Sequence, residues 1–188
     1  MENNSEDSFI TVYYAEDWRK WLIKNHLTKK KIGLILYKKH TGKPSISHRV
    51  AMEEAICFGW IDTTIKKLDE EKFVRYFVKR GDNANWSKNT LKYAKRLLKE
   101  NKMFPQGILR YKQGLKKRPH DHGIPKNPEM PLELKEELEK NNLLEKFKSF
   151  NNSTKKMFYR GILRAKTKQT KEKRIASLIK QILEKNGK

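Results

Sequence analysis

A single cysteine, Cys57, leaves this chain of 188 residues without an internal disulfide. That usage fits a reducing cytosol. Long apolar runs are missing too. No stretch approaches the ~18 apolar residues of a spanning helix, and Met1–Asp7 is polar and acidic where a secretory leader would be apolar. The expectation is a cytoplasmic protein with no transmembrane segment. Glycine is sparse. Gly33 and Gly42 stand isolated, and no phosphate-binding loop, dinucleotide fingerprint or nucleophile elbow is present. No cofactor is therefore expected. Acidic residues are few, 22 against 44 Lys and Arg, so the net charge is +22. Such a surface attracts polyanions: nucleic acid, anionic membrane or acidic partners. Lysine outnumbers arginine and is spread along the whole chain, which equally describes a solvated basic surface. Dedicated nucleic-acid surfaces lean more on arginine.

The apolar 36% is gathered into periodic stretches, so the chain folds, as one large domain or two small ones. Residues 1–8 read as a tail. Trp18, Trp21 and Leu22 share one face of a helix over about Ala15–Asn25. Ile32–Lys38 reads as a buried strand, and Ser47 as the N-cap of a helix over His48–Phe58. Gly59 then turns the chain from helix to strand. Trp60–Leu68 and Lys72–Lys79 form a hairpin around Asp69-Glu70-Glu71. The second strand is apolar on both faces and reads as central. Helices follow over Ser87–Asn101 and from Pro105 to Lys117. Four of the six prolines fall in residues 118–131, which marks a linker. Beyond it, four helices carry Leu134 and Leu138; Leu143, Leu144 and Phe147; Phe158, Ile162 and Ala165; and, starting at Thr170, Ile175, Leu178, Ile179, Ile182 and Leu183. The expected fold is α+β and mostly helical. A small antiparallel sheet with helices occupies 1–117, and a helical bundle occupies 132–188.

Asp62 follows an apolar run at the start of a strand. Burial raises the pKa of such a carboxylate unless Lys66, Lys67 or Arg80 pairs with it. It reads either as an acid/base group or anion-site organiser, or as a structural carboxylate accepting backbone N–H groups at the corner. Trp60, Trp86 and Arg80 are candidates to line a cleft beside it, and both indoles are equally core pieces. Cys57, on a buried helix face without a histidine partner, reads as packing. His120-Asp121-His122 lacks the further ligands of a metal site, so no metal is expected. Lys166, Lys168, Lys171, Lys173 and Arg174 crowd the start of the last helix, with Glu172 as the sole local offset. Lys166, Lys168, Thr170, Lys171 and Arg174 form a candidate anion-binding group there. Residues 160–188 hold ten basic and two acidic residues.

Several stretches carry a resemblance. They are Trp18-Arg19-Lys20-Trp21-Leu22, Glu53-Glu54-Ala55-Ile56-Cys57-Phe58-Gly59-Trp60-Ile61-Asp62, Leu68-Asp69-Glu70-Glu71, Trp86-Ser87-Lys88-Asn89, and the tail Ala165-Lys166, Thr170-Lys171 and Arg174-Ile175. Together they resemble the YdeI/OmpD-associated (OmdA-type) bacterial proteins, the bacteriocin-protection family, over nearly the whole chain. The Trp-Ser motif brings Ser87 and Asn89 into the candidate pocket with Trp60, Asp62, Lys66, Arg80 and Trp86. This chain departs from the family at Val78-Lys79-Arg80-Gly81, where only Arg80 persists. It departs again at Ala84 in place of a serine, Gly161 in place of a tryptophan and Lys171 in place of an arginine. The resemblance implies a cytoplasmic bacterial protein acting in stress, bacteriocin or antimicrobial-peptide tolerance; with no recognisable catalytic set in the chain, the expected mode is binding rather than catalysis. It names neither a substrate nor a protein partner. Two alternatives stand beside it: a nucleic-acid-binding module using the basic C-terminal helices, and an enzyme with its cleft near Asp62.

Overall fold

A computed structural model of the chain describes residues 8–184. Of the tail read over residues 1–8, residues 1–7 lie outside the described residues. The chain divides at Pro119–His120 into two compact units.

The first unit is built on a four-stranded sheet in the order β1-β2-β4-β3. The strands are β1 (Phe9–Thr11), β2 (Lys31–Tyr37), β3 (Trp60–Lys67) and β4 (Lys72–Lys79). β4 lies between β2 and β3 and pairs antiparallel with both, as its two apolar faces predict. The sheet is mixed rather than purely antiparallel, because β1 pairs parallel with β2. Three residues are too short for alternation to show, so β1 is absent from the sequence reading. Its place depends on Gly33, where an added Cβ would stand 2.6 Å from Cδ1 of the Phe9 ring.

One sheet face carries Ile32, Leu34, Leu36 and Phe77 into a core shared with the helices. Helix α1 (Ala15–Asn25) buries Trp18 and Leu22, and the Trp18 indole donates to the carbonyl of Ala51 at 3.0 Å. Helix α2 (His48–Cys57) is capped by Ser47, whose hydroxyl accepts from the Val50 amide. Gly59, at φ +75°, takes the left-handed conformation that ends α2 and starts β3 one residue later. Helix α3 (Lys88–Lys99) is capped by Ser87, and helix α4 (Pro105–Leu115) has proline in its first turn. Asp69 turns the hairpin by accepting from the amides of Glu71 and Lys72 at 2.8 and 2.7 Å.

The second unit holds α5 (Leu132–Lys140), α6 (Leu144–Lys148), α7 (Asn152–Leu163) and α8 (Lys168–Glu184). They enclose a core of Leu134, Leu138, Phe147, Ile162, Leu178 and Ile182. Helix α8 starts two residues before the expected Thr170, because Thr167 rather than a later residue caps it; the Thr170 amide donates to the Thr167 hydroxyl at 3.2 Å. Residues before α5 belong with these helices. Met130 packs on their core, and Arg160 donates to the carbonyl of Lys126.

Candidate functional site

Two corners of the molecule concentrate polar chemistry, one in each unit. The first is centred on Asp62, near the start of β3, just before the register shift between Asp62 and Ile65. Its Oδ2 accepts from His48 Nε2 at 2.9 Å and from Arg75 Nη1 at 3.0 Å. His48 is the first residue of α2 and half exposed. Arg75 comes from the core-facing row of β4 and is largely buried. The partners expected from sequence are not the ones used. Lys66 stands exposed on β3 opposite Val74, Lys67 pairs with Glu70, and Arg80 turns to Trp86. Among the described residues, an imidazole and a guanidinium hold Asp62, rather than the backbone amides of the corner. Sequence reasoning passed over His48 and Arg75. The available signals were the position of His48 one helix before the corner and the alternation of Phe73, Arg75 and Phe77.

The remaining candidates separate. Trp60 is fully buried, and its indole donates to the carbonyl of His26 at 3.2 Å. Trp86 is buried in the same core, with Arg80 Cζ over its ring, 3.8 Å from the centroid. Burial pushes Arg80 down to about 10, while the negative charge of Asp62 acts in the opposite direction. Ser87 is spent on its cap, accepting from the Thr90 amide at 3.1 Å, and Asn89 is exposed in the first turn of α3. Cys57 is buried, and burial pushes its thiol up to about 11.

The second corner is a cleft of about 870 Å³ between α5 and α8. Ile175, Ala176, Ile179 and Leu183 supply apolar lining; α5 adds Glu133, Glu136 and Glu137, and the α8 side adds Lys166, Lys168, Lys171 and Lys180 together with Glu172. The candidate anion group is only partly gathered here. Lys171 reaches across to Glu133 and holds that carboxyl below its ordinary value through their hydrogen bond. Arg174 donates to the carbonyl of Gly161, near the end of α7, and Thr170 bonds Thr167. Beside Glu172, the local offset expected from sequence, α5 contributes a distant one, Glu133, 38 positions from Lys171.

Two family models match the chain. Residues 10–110 match a domain of unknown function, DUF8412, which is more than half of the chain. Residues 127–185 match OmdA, described as bacteriocin-protection, YdeI or OmpD-associated. The chain belongs to the DUF8412 family, and its residues 127–185 are similar to the OmdA model. The OmdA match takes in the α5–α8 cleft, and the DUF8412 match takes in Asp62, Arg80 and Trp86. The YdeI/OmdA resemblance thus rests on the C-terminal part, and a separate family covers the sheet. No curated protein and no solved structure matches the chain. Among the described residues of this DUF8412 protein, no helix is long and apolar enough to cross a membrane. Nor do three or more His, Cys, Asp or Glu side chains gather there as a metal site.

Proposed function

We propose that this YdeI/OmdA-like protein acts in stress, bacteriocin or antimicrobial-peptide tolerance in the cytoplasm, by binding rather than by catalysis. The observation that supports this reading is the α5–α8 cleft. Its apolar floor of Ile175, Ile179 and Leu183 offers binding strength, and its acidic α5 side and mainly basic α8 side offer orientation. A matching ligand is amphipathic, with a basic group toward Glu136 and Glu137 and an anionic group toward Lys166 and Lys168. In this reading residues 1–117 form the α+β domain, 118–131 the linker, and 132–188 the helical domain that carries the site.

Calorimetric titration of the full chain with an amphipathic peptide bearing both charges tests it. Leu183 is 49% exposed, so Leu183→Glu leaves the bundle core in place. It is expected to weaken binding by about tenfold or more, the equivalent of ~1.4 kcal/mol. Wild-type affinity in Leu183→Glu and in Glu136→Lys would sink the cleft as the site. Turnover of a metabolite that disappears in Asp62→Asn would instead support the enzyme reading.

A further inference from the structure

Arg80 follows the last residue of β4 and is 2% exposed. Its Nη1 donates to the carbonyl of Asn85 at 3.1 Å, and its Cζ lies over the Trp86 ring, 3.8 Å from the ring centroid. Nε and Nη2 are buried and meet no acceptor among the described residues. These two nitrogens form one edge of the guanidinium. Their N–H bonds run parallel, at the spacing of two oxygens of a single carboxylate or phosphate. A buried cation with two unmet donors is unfavourable, and an oxyanion at that edge removes both deficits at once.

The surroundings fix the fork in advance. Trp86 packs on α4 where Gly114 leaves room; a Cβ there would stand 2.5 Å from the indole Cδ1. The 81–85 loop supplies Asn85 and is tied to α4. Asp82 accepts from Arg110 and from Gln113 Nε2, the latter at 3.1 Å, and Asn83 accepts from Lys117 at 2.9 Å. The Trp86 ring and the Asn85 carbonyl together hold the buried guanidinium, so little side-chain entropy remains to be lost on binding. The loop ends of these ties, Asp82 and Asn83, are exposed, which makes the loop the segment that yields to admit a ligand.

We propose that the Nε–Nη2 edge of Arg80, backed by Trp86, is a receptor for a compact oxyanion, the carboxylate or phosphate group of a small ligand. The site lies within the DUF8412 match, apart from the α5–α8 cleft, so either stands without the other.

The test is a titration of the ¹⁵N-labelled full chain followed at its arginine Nε–H resonances. The Arg80 resonance is assigned by its contact with the Trp86 ring protons and by its loss in Arg80→Lys. Sodium phosphate, sodium acetate and sodium chloride are compared at matched ionic strength through the millimolar range. The expected result is a saturable shift of the Arg80 resonance with phosphate or acetate, and none with chloride. Whichever of the two saturates first identifies the class of oxyanion. Asp82→Ala, which unties the loop without touching the fork, is expected to quicken exchange between free and bound forms. A resonance that moves with neither oxyanion, or moves equally with chloride, would overturn the proposal. Because the reading is made on the wild-type chain, it stands even where Arg80→Lys fails to fold.

Discussion

A Cβ on Gly107 would stand 2.1 Å from the carbonyl oxygen of Cys57, and the obstacle is backbone that cannot swing aside. The same oxygen accepts from the Phe104 amide at 2.9 Å, so the start of α4 is seated closely on the end of α2. Gly107→Ala is therefore expected to lower stability by about 1–3 kcal/mol or more in urea unfolding. Gly161, inside α7, meets nothing within 4 Å, so Gly161→Ala is expected to raise stability by about 0.5–1 kcal/mol in the same assay. At Asp62, the substitution to Asn keeps the shape and removes the charge facing Arg75. A loss of about 1.5–3 kcal/mol is expected, measured as a shift in urea midpoint. Cys57 adds a pH dependence. Its thiol titrates near 9.0 when unfolded and at about 11 when folded, so the proton is held more tightly in the native state. The stabilisation is complete below pH 9 and is lost as the pH rises through 11. Wild type is expected to lose stability across that window faster than Cys57→Ala, and equal slopes in paired urea titrations would count against it.

Among the elements, the ones with local signals were legible. Ser47 and Ser87 announce α2 and α3, and each hydroxyl accepts from the amide three residues on. Ser47→Ala and Ser87→Ala are each expected to cost about 1 kcal/mol, read as lowered melting temperature. Ser87→Ala also separates its two readings: as a cap it changes stability, and as a ligand contact it changes affinity. Strand β4 showed its central place through apolar residues on both faces. Strand β1 and the close seats of α4 gave no such signal. Nothing local in Phe9–Thr11 favours a parallel edge, and nothing in Gly107 or Gly114 says which backbone or ring each will meet. Those contacts join residues distant in sequence, where periodicity carries no information. The same reason divides the candidate site. Arg80 and Trp86, six positions apart, lie against each other. Asp62 was given the neighbouring lysines, whereas a helix and an adjacent strand supply its partners, His48 and Arg75.

On the scale of the whole molecule, the charge of +22 predicts weak association with duplex DNA at low salt. Fluorescence anisotropy against salt is expected to show log affinity falling by about 0.9 per phosphate neutralised. Tight binding that persists at high salt would instead require base contacts, and the C-terminal helices would then be a nucleic-acid surface. Part of the basic charge is already engaged, since Lys171 meets Glu133 and Arg174 meets the end of α7. Composition thus determined the sign and size of the surface field, and apolar periodicity together with caps and the turn at Gly59 determined the longer elements and their order, β1 excepted. Those quantities are local, or sums over the chain, and can be read without coordinates. The pairing of Asp62 with His48 and Arg75, the unmet edge of Arg80 and the cleft between α5 and α8 were decided by tertiary structure alone. Each depends on which distant groups share one small volume, and that is settled by packing.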